Sequence, residues 1–212
     1  MSPGAEIRAL AVLPAGDSSC GPRVAATVQE TPSSRRRVEL WRDPIFDLDT
    51  PVTDPPSCYS EHTWPAIDFG NDLALLDVGT ETLLAATTSQ GPAVFLGSYF
   101  MPPRPMAPAA TSVALGLGSG TNVLLAWTDG GRALLQSLPR LPPPFPRIPE
   151  ALCTRPVARS VEIGILTGAT KVRISDCNAG FVTAVVRNAT HVEIVRMPCP
   201  APVEVTVGAL AP

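Results

Sequence analysis

The sequence predicts an all-β chain built from about four repeated hairpins. Short apolar runs rich in Val, Leu, Thr and Ile recur in it, bounded by Gly, Pro, Asn and Asp. No segment sustains the i, i+3, i+4, i+7 apolar pattern of a helix over three turns. The same phrase also returns four times: an apolar strand, a tight turn, a second strand, then proline. The phrases are Arg23–Arg42, Thr82–Phe100, Asn122–Leu138 and Gly180–Met197, closed by Pro44, Pro102, Pro139 and Pro198. Proline lacks a backbone donor and has a fixed φ, so each closing proline ends a ladder. The chain reads as a single all-β domain over 1–212, with repeats at roughly 1–65, 66–110, 111–156 and 157–212.

In the first unit a leading strand over Glu6–Leu13 precedes a hairpin pairing Val24–Gln29 with Arg37–Arg42. The stretch from Asp43 to Pro65 reads as a long acidic connector. The second unit opens with Ala66–Phe69 and Leu73–Val78, separated by Gly70-Asn71. Its hairpin pairs Leu83–Thr88 with Ala93–Tyr99 across Ser89-Gln90-Gly91-Pro92. In the third, Val113–Leu117 leads, and Val123–Thr128 pairs with Arg132–Leu138 across Asp129-Gly130-Gly131, an Asp-Gly turn signal between apolar runs. Pro142-Pro143-Pro144 in the connector predicts polyproline II. The fourth has Val161–Leu166, Lys171–Ser175, and Phe181–Val186 paired with His191–Arg196. Val203–Val207 follows, where a further unit would begin; its expected role is to close a ring against Glu6–Leu13.

The first strands of the four hairpins align as Val24-Ala25-Ala26-Thr27, Leu84-Ala85-Ala86-Thr87, Leu124-Leu125-Ala126-Trp127 and Val182-Thr183-Ala184-Val185. Alanine recurs at the third place, which predicts a crowded position on the inner strand of a radial array. Hairpin units of roughly 40–60 residues in series resemble a β-propeller. The phrase Leu124-Leu125-Ala126-Trp127-Thr128-Asp129-Gly130-Gly131 is similar to the strand-and-turn phrase of secreted bacterial propeller-like repeat proteins. The fold expected from the resemblance is a propeller-like array of about four hairpin-based blades, with a two-sheet β-sandwich as the alternative.

Composition narrows the function classes. Hydrophobic residues are 45% and charged residues 17%, which excludes a globally disordered chain. Most of the 25 prolines fall in connectors. Net charge is −3, and the one basic run is Arg35–Arg37, read as a solvated turn and strand edge, so no nucleic-acid partner is expected. Lys171 is the one lysine, against fifteen arginines, and reads as coding bias. No apolar stretch is long enough to span a bilayer. Met1-Ser2-Pro3-Gly4-Ala5-Glu6 lacks the features of a signal peptide, which reads as a cytoplasmic chain or as a mature or excised segment. Five cysteines favour an oxidising compartment instead: extracellular, periplasmic or cell surface. The pairing expected first is Cys177 with Cys199, which bracket the fourth hairpin; Cys20 with Cys58 is second, and Cys153 stands alone.

No motif marks a catalytic, cofactor or metal site. His62 and His191 lie in different units without ligands at metal spacing. Asp43, Asp47, Asp49 and Asp54 share a loop but miss calcium-loop spacing, and read as solvating acids. Gly116-Leu117-Gly118-Ser119-Gly120 has no helix after it, and reads as a β-turn rather than a phosphate cradle. Asn188-Ala189-Thr190 matches a glycosylation sequon in a turn. Trp127 reads as core. The function expected is a non-enzymatic binding or scaffold module with a protein or glycan partner and no cofactor. The alternative is a propeller-type glycosidase or lyase, for which Asp68, Asp77 and Asp129 are the candidate carboxylates.

Overall fold

The computed structural model describes residues 5–13, 23–42, 59–62, 68–78, 81–89, 91–96, 99–101, 110–119, 122–138 and 160–201. Among them every regular element is a strand. The first sheet holds β1 (Glu6–Leu13), β2 (Arg23–Gln29), β3 (Arg37–Arg42) and β4 (Tyr59–His62) in that order. The second holds β5 (Phe69–Val78), β6 (Glu81–Thr88), β7 (Gly91–Leu96) and β8 (Tyr99–Met101), also in order. β9 (Ser112–Leu117), β10 (Val123–Thr128), β11 (Ala133–Leu138) and β12 (Val161–Glu162) form the third. β13 (Lys171–Ile174), β14 (Phe181–Arg187) and β15 (Val192–Pro198) form the fourth. Among the described residues all pairings are antiparallel, and they make four small sheets where a sandwich would have two.

The four hairpins are those the sequence predicts: β2 with β3, β6 with β7, β10 with β11 and β14 with β15. Four expectations are corrected. Ala66–Phe69 and Leu73–Val78 are not separate strands; Phe69–Val78 is one strand, with a register shift between Phe69 and Leu73. Tyr99 does not end β7 but starts β8, paired with Leu96. Val161–Leu166 does not open the fourth unit, because Val161 and Glu162 pair with Leu135 and Leu134 as the last strand of the third sheet. β4 likewise falls where a connector was expected. These fourth strands are short and lie at sheet edges, where alternation and β-branching signal little.

The sheets pack face to face in file. β1 packs on β5, β5 on β9, and β9 on β13, so the first strands line up through the molecule. Three apolar cores fill the three gaps. Ala25, Val38 and Leu40 meet Phe69, Leu73 and Leu84 between the first two sheets. Leu83, Ala85 and Val94 meet Val113, Leu125 and Trp127 between the second and third. Leu124, Ala126 and Leu135 meet Val172, Val182 and Val186 between the third and fourth. Trp127 is therefore core, as expected, and β10 is buried on both faces because it sits between two neighbours.

The recurrent alanines Ala26, Ala86, Ala126 and Ala184 are all fully buried. They lie on the second strand of each sheet, not the first, and there each is flanked by a strand on both sides. Cys177 and Cys199 are disulfide-bonded with Cα atoms 6.0 Å apart, the pairing the sequence favoured. Cys20, Cys58, Cys153, the acids Asp43, Asp47, Asp49 and Asp54, and Val203–Val207 lie outside the described residues.

Candidate functional site

The most connected polar cluster sits where the first strands of three sheets meet. It begins with the irregularity in β5. The backbone at Gly70 runs so close to Thr87 that an added Cβ would stand 2.9 Å from the Thr87 Cβ. Glycine is needed there for close approach rather than for a special φ. Thr87 Oγ1 then takes up the displaced backbone: it accepts from the Asp72 amide at 3.1 Å and donates to the Asp72 carbonyl at 3.3 Å. The bulge re-aims the next side chain, as bulges do. Asp72 points out of the second sheet and into its neighbours.

There it is saturated with donors. Ser112 Oγ donates to Asp72 Oδ2 at 2.5 Å and the Val113 amide at 3.1 Å, both from β9. Arg173 of β13 donates to Oδ2 and Oδ1, both at 3.2 Å, as a two-pronged pair. Lys171 Nζ lies 3.2 Å from Oδ1. Ser112 Oγ accepts in turn from the Val172 amide at 3.2 Å. One carboxylate thus joins the second, third and fourth sheets. Burial pushes the Asp72 pKa up, but the hydrogen bonds from Arg173, Ser112 and Val113 and the Arg173 charge outweigh it and hold the carboxyl below its ordinary value. Asp72 stays ionised and has no free lone pair to act as a base. Lys171 and Arg173 have side chains 43% and 56% exposed, so two half-exposed cations surround one buried anion.

A second set of contacts extends the cluster to the first sheet. Arg36, in the turn between β2 and β3, gives its amide to Asp68 Oδ1 at 3.0 Å and its guanidinium to the Phe69 carbonyl at 3.1 Å. Arg37 pairs with Glu30 at 2.8 Å and with Glu39 at 2.7 Å. The Arg35–Arg37 run is therefore partly structural, not a free basic patch. The hairpin turns of all four sheets lie at this same end: Ser89 bonds back to Asp68, Thr111 to Thr128, and Thr170 to Arg187.

The candidate carboxylates do not come together. Asp68 and Asp77 lie at opposite ends of β5, about 30 Å apart for a strand of this length, well beyond the spacing of a glycosidase pair. Asp77 forms an ion pair with Arg23 across the first two sheets. Asp129 closes its own turn, accepting from the amides of Gly131 at 3.0 Å and Arg132 at 2.8 Å. Burial pushes the Asp129 pKa up, but the amides of Arg132 and Gly131 and the Arg132 guanidinium outweigh it and hold the carboxyl below its ordinary value. His191 meets Thr190 Oγ1 at 2.7 Å through Nδ1, in the turn before β15. His62 lies in β4, on the opposite side of the first sheet from β1. Gly116 packs against the Ser175 carbonyl, and the Gly118 amide bonds to the Asn122 carbonyl, a turn as expected. Asn188 Nδ2 donates to the Thr167 carbonyl at 3.0 Å, so the sequon nitrogen already has a structural partner. Among the described residues no three His, Cys, Asp or Glu side chains are grouped to hold a metal, and no helix is long and apolar enough to cross a membrane.

Sequence reading missed Asp72, Ser112 and Arg173, and took Lys171 as coding bias. The one local signal was Gly70-Asn71 inside an apolar run, which marks a bulge as readily as a break. Comparison with protein-family models, with curated proteins and with solved structures returns no match.

Proposed function

We propose that this chain is a non-enzymatic binding or scaffold module with propeller-like architecture, exported or surface-exposed, that presents its hairpin-turn end to a protein or glycan. Sheets of sequentially ordered strands, packed in file through their first strands, support the propeller-like reading. The observation that carries the binding reading is the Asp72 cluster. It ties three sheets into one rigid frame at the end where the turns gather, and leaves Lys171 and Arg173 half-exposed there. Rigid scaffolds holding variable turns are the usual platform for recognition. The surplus positive charge favours an acidic ligand such as a uronate-bearing glycan or an acidic peptide. The Cys177–Cys199 bond supports an oxidising compartment. The glycosidase or lyase alternative is disfavoured, since Asp68, Asp77 and Asp129 each hold a structural contact.

The test is binding to arrays of acidic and neutral oligosaccharides and of acidic peptides. The expected result is retention of acidic probes, weakened at least several-fold by Lys171→Glu with the fold intact. Retention of no probe, or release of reducing sugar from them, would overturn the reading.

A further inference from the structure

The third strands of the four sheets are not covered alike. β3, β7 and β11 each pair on their far side with a further strand, β4, β8 and β12. Among the described residues β15 has no such neighbour. The packing beneath these strands follows the same division. Val38 and Leu40 on β3, and Leu135 on β11, are buried where they meet an adjoining sheet. Val195 and Met197 of β15 pack on the core between the third and fourth sheets in the same way, yet stay half-buried. The first sheet is also an end of the file, so lying at an end does not explain the difference. The open edge of β15 does.

Part of that edge is already closed. Glu193, which shares the inward side of β15 with Val195 and Met197, accepts from the Ile165 amide at 3.1 Å and the Leu166 amide at 2.9 Å. The loop after β12 thus holds the edge at its turn end. Beyond it, Val195 and Met197 form an apolar slot, with Leu166 and Cys199 also half-buried against the same core. A strand edge with an unpaired backbone row beside an apolar slot accepts a further strand.

We infer that the chain fills this slot itself: Val203–Val207, which lies outside the described residues, docks antiparallel along β15 as the fourth strand of the fourth sheet. Val203-Glu204-Val205-Thr206-Val207 alternates apolar and polar residues and is β-branched at all but Glu204, the pattern of a half-buried strand. Pro198–Pro202 precede it, and a turn of that length joins antiparallel neighbours. Pro198, Pro200 and Pro202 have no donor to give a ladder, so the chain reverses there. This turn sets Val203 opposite Met197 and Val205 opposite Val195. The valines then cover the half-buried core, and Glu204 and Thr206 face water. A turn one residue shorter would put Glu204 over Met197 and the valines outside, so the apolar pattern selects the register. Ring closure against Glu6–Leu13 has no such support: among the described residues no strand of the first sheet packs extensively against one of the fourth. A filled edge cannot recruit a strand from another chain. This inference is independent of the ligand proposed above.

The test is nuclear magnetic resonance on the isotopically labelled whole chain. The expected result is close cross-strand contact between the backbone protons of Val205 and Val195. Val205→Glu is expected to abolish that contact and to speed amide exchange in β15 at least ten-fold at alternate residues, with β10 unchanged. Val205→Ile is expected to keep both the contact and the protection. If Val205→Glu also speeds exchange in β10, the fold itself has loosened, and the wild-type contacts and Val205→Ile decide. Contacts from Val203–Val207 to Glu6–Leu13, or to no strand, overturn the inference. So does a Val205→Glu protein whose β15 exchange matches wild type.

Discussion

At the scale of single residues, Asp72 carries more of the structure than any other charged group described. It is buried, and its charge is offset by five donors drawn from two other sheets. Asp72→Ala removes the acceptor for Ser112 and Val113 and leaves Arg173 to water. The expected loss is about 2–3 kcal/mol in urea unfolding, discounted because both cations are half-exposed. The pH dependence has a definite sign. The folded pKa lies below the ordinary carboxyl value of 3.8, so the stabilisation is complete above that value and is lost as pH falls through the lower folded one. Wild type should therefore lose stability below pH 3.8 more steeply than Asp72→Asn, measured as melting temperature against pH. Gly70→Ala should cost about 1–3 kcal/mol by thermal melting, since its Cβ would stand 2.9 Å from the Thr87 Cβ. Trp127→Ala should cost about 3–5 kcal/mol through the cavity it leaves between the second and third sheets, with acidic-probe binding unchanged.

At the scale of elements, the fourth sheet is held at its far end by the Cys177–Cys199 bond. The bond closes a loop with a sequence separation of 22, which encloses all of β14 and β15. Its reduction should destabilise the protein by about 2–4 kcal/mol, read as a lower melting temperature with and without reductant. The sheet is exposed on its outer face and has no described fourth strand, so it depends more on this link than the central sheets would.

At the scale of the whole molecule, three cores in series make stability a sum over neighbouring sheets, much as in repeat proteins. Sheets with a neighbour on both faces should open last. Native-state amide exchange should be slowest in β10, whose residues are all buried, and faster in β15, which is half-buried on one face and exposed on the other. Equal protection of β10 and β15 would mean that the file unfolds as one unit.

The sequence by itself determined the strands and their hairpin pairing, because alternation, turn chemistry and proline stops act over a few residues. Asp129-Gly130-Gly131 sets the third hairpin, and it forms as written, with Thr128 opposite Ala133. The Cys177–Cys199 bond was legible for the same local reason, as two cysteines bracketing one hairpin. Only the tertiary structure decided which face of each strand meets which neighbour. Ala86 and Ala184 face the preceding sheet and Ala26 faces away from the following one, whereas Ala126 faces the following sheet, although all four occupy the same place in the sequence alignment. A one-residue offset reverses every side chain on a strand, and no local signal records that offset. The Asp72 cluster was hidden for a related reason. Its members are separated by 40 residues from Asp72 to Ser112 and 101 from Asp72 to Arg173, and only the packing of first strand on first strand brings them within bonding distance.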